Sequence, residues 1–279
     1  KHLAVSYDSL GMFATHPEKM GMLAALDSCV IDMRDVLCFA PFLKENEYVK
    51  KLTAARFFLS GRVKGALNDF SIPALRMTTG SSTLLQASGR IKGLPDMDRA
   101  YFDMKLPAFT TSARDLQAML PDSLLPSDIR LPDRLALQGS YTGSLKSFQT
   151  NARIRSSMGN ILLQANMSGP KGNEKYEAKL AIDTLNIGRL LKQDSLMGTV
   201  TLNAAVQGSG LDKKTAAVKM QAMLQQLYFH GYDYRDLKIT GDYQQQAWNL
   251  HGYTSDPNVR LDLLTTGSLA GEYPEAKLN

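Results

Sequence analysis

Two short runs in this 279-residue chain come close to known reactive motifs, and both fail on spacing. Residues 208–215 (GSGLDKKT) resemble a phosphate-binding loop, but Lys213 stands where the second required glycine belongs. Residues 168–171 (SGPK) match the serine–lysine spacing of some acyl-transfer enzymes, but the SDN and KTG partner sequences are missing. The chain therefore offers no nucleotide site and no serine nucleophile that its motifs can support.

The residue types that ligate metals are also badly placed. Asp96, Asp98 and Asp103 lie close together but lack the glycine and glutamate of a calcium loop. The histidines show none of the spacings that zinc sites use. They are His2, His16, His230 and His251. We therefore predict no metal, no cofactor and no enzymatic activity.

Cys29 and Cys38 are the only cysteines. Two cysteines nine residues apart form neither a disulfide framework nor a zinc site, so we predict two buried thiols. A single disulfide is the alternative, and it would require an oxidising compartment.

The composition is that of a folded protein with a mild basic excess. Hydrophobic residues make up 44% of the chain, charged residues 21%, and the net charge is +5. The basic residues are spread out, so nucleic-acid binding is poorly supported. No apolar run reaches the roughly 18 residues of a membrane-spanning helix.

An internal repeat organises the middle of the chain. Residues 59–70 (LSGRVKGALNDF) recur as residues 137–148 (LQGSYTGSLKSF), and the offset of 78 also carries Leu84 to Ala87 onto Leu162 to Ala165. Positions 59–87 contain ten identities in 29, where ordinary composition would give about two. We divide the chain into a leading segment (1–51), two repeat units (52–132 and 133–210) and a partial unit (211–279), all within one repetitive β segment.

Apolar and polar residues alternate along most of the chain, which predicts about a dozen antiparallel strands. Ala25 to Met33 is expected to form one of them. Breaks in the alternation predict a short helix over Ser112 to Leu120, capped by Ser112, and a second over Asn186 to Lys192. Asp35 to Ala40 is expected to form one helical turn, and Glu45 to Val49 a polar linker.

In the second repeat unit, the apolar residues of four consecutive predicted strands are in phase. We predict that they line one continuous surface. These residues are Ile161, Leu163, Ala165, Met167, Ala178, Leu180, Val200, Leu202, Ala204, Val218 and Met220. The same pattern suits a closed core or an open trough lined with hydrocarbon, and alternation alone does not separate the two.

The repeated LxGxxxGxLxxF unit, residues 91–96 (IKGLPD), residues 101–103 (YFD) and residues 131–132 (LP) resemble the TamB family, in the form found in Bacteroidetes-type bacteria. Residues 234–237 (YRDL) and 255–258 (SDPN) are similar to further pieces of these proteins. The resemblance covers about residues 26–279 and consists of many weak matches. The family belongs with the AsmA-like, bridge-like lipid-transfer proteins.

The resemblance implies an elongated antiparallel β-sheet folded into a U-shaped trough, a β-taco, with an apolar interior and one or two short helices. It implies a periplasmic protein anchored in the inner membrane, which meets a TamA-type outer-membrane barrel and carries phospholipid between the membranes while supporting outer-membrane protein assembly. This chain is expected to be a middle segment, with phospholipid acyl chains as its direct partners and no nucleic acid.

Two other functions fit the same pattern. A sheet with exposed edges could pair with the strands of unfolded outer-membrane proteins. A plain two-sheet sandwich could bind carbohydrate or protein on its surface.

Overall fold

The computed structural model describes residues 2–6, 21–39, 47–53, 55–66, 68–124, 127–256, 259–270 and 275–278. About two thirds of these residues are in β-strands, which confirms the all-β prediction. The chain divides into two compact units, Lys1–Leu145 and Lys146–Asn279. This division falls inside the predicted second repeat, and the repeat boundaries stay a prediction.

The first unit is an antiparallel meander in which each strand pairs with the next along the chain. Its strands are β1 (His2–Ser6), β2 (Gly21–Asp32), β3 (Arg56–Ala66), β4 (Asp69–Thr79), β5 (Thr83–Lys92), β6 (Tyr101–Thr111) and β7 (Leu135–Gly143). Its helices are α1 (Met33–Phe39), α2 (Glu47–Leu52) and α3 (Ala113–Met119), followed by a 3-10 turn (Asp122–Leu124).

The second unit continues the same pattern with longer strands. They are β8 (Phe148–Ser156), β9 (Gly159–Ser168), β10 (Lys175–Asn186), β11 (Met197–Ser209), β12 (Ala217–Phe229), β13 (Tyr232–Gln244), β14 (Ala247–Ser255), β15 (Arg260–Ser268) and β16 (Glu275–Leu278). Its helix is α4 (Ile187–Leu190). Among the described residues, no pairing joins the first strand of either unit to its last, so neither sheet closes into a barrel.

Two of the predicted helices begin where their capping residues stand. The Ser112 hydroxyl accepts a hydrogen bond from the Asp115 amide (3.2 Å) at the start of α3. The Asn186 side chain accepts one from the Arg189 amide (2.7 Å) at the start of α4. Each bond satisfies an amide that has no partner within the helix. Because a capping residue acts on its own helix, the sequence near each cap was enough to predict where these two helices begin.

Two predictions for the N-terminal region are wrong. Residues 47–49 begin α2 rather than a linker, and residues 45–46 lie outside the described part of the chain. Cys38 is exposed rather than buried, Cys29 is half-buried, and both are free thiols. A seven-residue helix can turn only one side inward, and in α1 Leu37 lies on that side while its neighbour Cys38 does not.

The Asp115 side chain fixes α3 to the β4–β5 hairpin. The Asp115 carboxylate does not bond to the N-cap residue of its own helix. Instead, its two oxygens accept hydrogen bonds from the amides and hydroxyls of Ser81 and Ser82 and from the Thr83 hydroxyl, at 2.8–3.2 Å. Burial raises the pKa of this carboxyl, but the bonds from Ser82, Ser81 and Thr83 lower it by more, so the pKa lies well below its usual range. A buried carboxylate is tolerated here because every bond it receives favours the charged form.

We predict that Asp115→Asn destabilises the protein by about 2 kcal/mol at pH 7, because an amide nitrogen would face the donors that now bind a carboxylate. The folded pKa is below the unfolded value of about 3.9, so Asp115 stabilises the fold above pH ~4 and loses that contribution as the pH falls further. Urea unfolding of both proteins at pH 7 and pH 3 should show the gap between them narrowing in acid.

Asp103→Asn is the matched control, since Asp103 is an exposed carboxylate on β6. It should change the free energy of unfolding by less than about 0.5 kcal/mol. An equal effect of the two substitutions would contradict the role assigned to Asp115.

Candidate functional site: the two faces of the second sheet

The register of the second unit places all eleven predicted lining residues on one face of its sheet, here called the apolar face. Residues directly opposite each other in an antiparallel pair share a face. Leu163 lies opposite Leu180, and Leu180 lies opposite Ala204. The same relation links Ala165 to Ala178, Val206 to Met220, and Gly208 to Val218.

The apolar face extends beyond these eleven residues. Ile182 lies between Ile161 and Leu202 in one cross-strand row. The same row continues through Leu224 and Leu237 on β12 and β13. Sequence reasoning missed the aromatic end of this face, where the row from Met167 passes through Tyr176, Gly208, Val218 and Tyr243 to Trp248. The alternation places Tyr176 in phase with Ala178 and Leu180, but only the strand register shows that Tyr243 and Trp248 lie in the same row.

Burial is uneven along the strands of this face. Val200 is 3% exposed, and with Met158 and Leu185 it forms a buried apolar cluster, against which Ile187 and Leu190 of α4 pack. Most of the other predicted residues are only half-buried, and Met220 is 36% exposed. Among the described residues, no large side chain is fully buried. A closed sandwich core would bury these side chains almost completely.

The buried cluster lies at one end of the strands, next to a bulge in β10. β10 has one more residue than β11 between Ile182 and Leu185, and Thr184 takes up the extra length with a φ of 49°. The Thr184 amide donates to the Thr201 hydroxyl (3.1 Å) because it has left the regular ladder. Bulges bend strands and increase their local twist, and the buried cluster lies at the end of the strands where this bulge occurs.

The opposite face, here called the polar face, carries the charged and amide side chains that alternate with the apolar set. It contains two hollows, with volumes of about 1190 Å³ and 730 Å³. The larger is lined mainly by amide and charged side chains such as Asn166, Gln207 and Lys219. The smaller crosses β9 to β14 and is the more apolar of the two.

The described residues contain no group of three or more histidine, cysteine, aspartate or glutamate side chains arranged to hold a metal. None of the described helices is long and apolar enough to cross a bilayer. Among the described residues of the first unit, the shortest ionic contacts are Arg34 with Asp32 (2.6 Å) and Arg90 with Asp69 (2.6 Å), and both arginine side chains are exposed.

Comparisons with known proteins found no matching family model, no matching curated protein and no matching solved structure. The function must therefore be argued from the two faces themselves.

The open apolar face predicts that two of its positions on adjacent strands, Leu180 and Val200, respond very differently to substitution by aspartate. Leu180→Asp should cost about 1–2 kcal/mol, because the half-buried carboxylate can still reach water. Val200→Asp should unfold the unit or cost about 4 kcal/mol or more, because its carboxylate would be buried without a partner. Urea unfolding followed by far-UV circular dichroism measures both. Equal and severe losses would mean that the whole face is a closed core.

Proposed function

We propose that this chain is a non-enzymatic segment of a lipid conduit, in which acyl chains lie along the apolar face of the second unit. The single observation that supports this most strongly is that a continuous aliphatic surface over at least four strands is left half-open. Large exposed apolar surfaces are unusual in proteins with no apolar partner.

Transfer of acyl chains to such a surface is passive. Each methylene removed from water contributes about 0.8 kcal/mol. Small side chains at Ala165, Ala178 and Ala204 leave space between larger neighbours, and a flexible chain can fill that space. The polar headgroup stays at the open end of the strands, where Met220 is the most exposed of the predicted lining residues.

We also propose that the chain is part of a TamB-like protein of the periplasm, held at the inner membrane by a segment outside this chain and meeting a TamA-type barrel through other regions. The 78-residue sequence repeat and the open, consecutively paired sheets support this assignment. Phospholipid passage and support of outer-membrane protein assembly are the corresponding functions.

A photo-crosslinking amino acid placed on the two faces tests the conduit. The purified protein carrying it at Leu180 or Leu202 should form phospholipid adducts when irradiated with phospholipid vesicles, because both positions lie on the apolar face. Mass spectrometry of the intact protein measures the adduct. Arg155 on β8 and Gln207 on β11 are matched controls, since both are exposed and lie on the polar face outside the smaller hollow.

Adducts at Leu180 and Leu202 at least several-fold above the controls would support the conduit. Equal capture at all four positions, or capture only at the controls, would contradict it. A sheet that acts by pairing its edges with other strands would give that second pattern, since it needs no lipid on the apolar face.

A further inference from the structure

The smaller hollow of the polar face has a lining that differs from the rest of that face. Along one cross-strand row from β9 to β14 the register places Leu162, Ala181, Asn203, Met223, Lys238 and Tyr253 side by side. Leu162 is 43% exposed and Tyr253 is 37% exposed, so apolar groups reach solvent on a face that is otherwise polar. Exposed apolar side chains in a concave setting are typical of ligand sites.

The charged side chains that line the smaller hollow are all basic. Lys179 and Lys238 line it, and no aspartate or glutamate is among its lining residues. The Lys238 ammonium lies 5.3 Å from the centre of the Tyr253 ring, a cation–π contact that holds it beside the apolar surface. Lys179 pairs with Glu177 (3.2 Å), but both side chains are well exposed, so this pair is weak enough to exchange for a ligand anion.

The hollow is long and narrow. Its main row crosses five strand-to-strand steps, about 24 Å at the usual spacing, and a second row from Gln164 through Lys179 to Thr240 lies about 7 Å away along the strands. A surface of these dimensions accommodates one extended hydrocarbon chain better than a globular partner or a two-chain lipid. Its volume of about 730 Å³ is in the range of small-molecule sites.

We propose that this hollow binds a single-chain anionic amphiphile, with the anionic head at Lys238 and the chain over Met223, Ala181 and Leu162. Eleven of its fifteen lining residues alternate with those of the apolar face along the same strands, and the other four, Leu180, Ala204, Ala222 and Ile239, belong to the apolar face by register. The site does not depend on the conduit, and each can fail without the other.

Two methionines on β12 distinguish the faces. Met223 lies in the hollow and Met220 on the apolar face. In the protein labelled with ¹³C at the methionine methyl groups, dodecanoate below its micelle concentration should shift the Met223 signal in a saturable manner. Dodecanol, which has the same chain without a charge, should shift Met223 at least several-fold more weakly. Replacing Met223 or Met220 with leucine assigns the two signals.

Lys238→Gln should raise the dissociation constant for dodecanoate about three- to fivefold, as expected for loss of one exposed charge pair, and leave the response to dodecanol unchanged. Lys219→Gln is the control, because Lys219 is on the polar face of the same strand as Met223 but outside this hollow. A lysophosphatidylglycerol with the same chain tests the source of the ligand: tighter binding than dodecanoate identifies a lipid headgroup, and weaker binding identifies a free carboxylate.

Three results would overturn the proposal. The first is a response of Met220 alone. The second is equal binding of dodecanol and dodecanoate. The third is an equal effect of Lys238→Gln and Lys219→Gln on dodecanoate binding.

Discussion

The pairing of each strand with the next is the constraint on which the rest of the structure depends, and bulges or irregularities interrupt the register in seven of the described pairs. Among the described residues, no large side chain is fully buried, and apolar packing is limited to small clusters such as that of Met158, Leu185 and Val200. Stability must come from the hydrogen-bonded ladders and from cross-strand side-chain pairs, each of which contributes about 0.2–1 kcal/mol. The sequence meets this constraint with strands in which apolar and polar residues mostly alternate, and this alternation also determines which side chains share a face.

Buried carboxylates reinforce the strand ends where apolar packing is sparse. The Asp115 carboxylate accepts hydrogen bonds from amides and hydroxyls of the β4–β5 hairpin. In the second unit Asp256 plays a comparable part: it accepts bonds from the Tyr232 hydroxyl (2.6 Å) and from the Arg235 amide (3.1 Å), next to Asp236 with its positive φ. Asp115 therefore fixes a turn, and Asp256 ties the end of β14 to the start of β13.

The parts of the structure that the sequence predicted are those governed by local physics. Alternation identified the strands and the shared face of residues such as Leu163 and Leu180, and capping residues identified α3 and α4. The helix α2 was missed because it lies against α3, about sixty residues further along the chain, and no local pattern contains that partner. The hollow was missed for a related reason: Leu162, Met223 and Tyr253 are isolated apolar residues among polar ones until the register aligns them.

The alternation that produces the apolar and polar faces also makes them dependent on each other, because a change in strand register alters both. Met220 and Met223 are three residues apart on β12 and lie on opposite faces, separated only by the thickness of one sheet. Inserting one residue within such a strand would move every side chain beyond it to the other face, placing Lys219 among hydrocarbon and Leu224 in water. The bulge at Thr184 adds a residue without this effect, because Leu185 and Val200 still meet on the apolar face. Length changes in this sheet are therefore tolerable only at bulges and turns, and the two surfaces can change independently only by substitution.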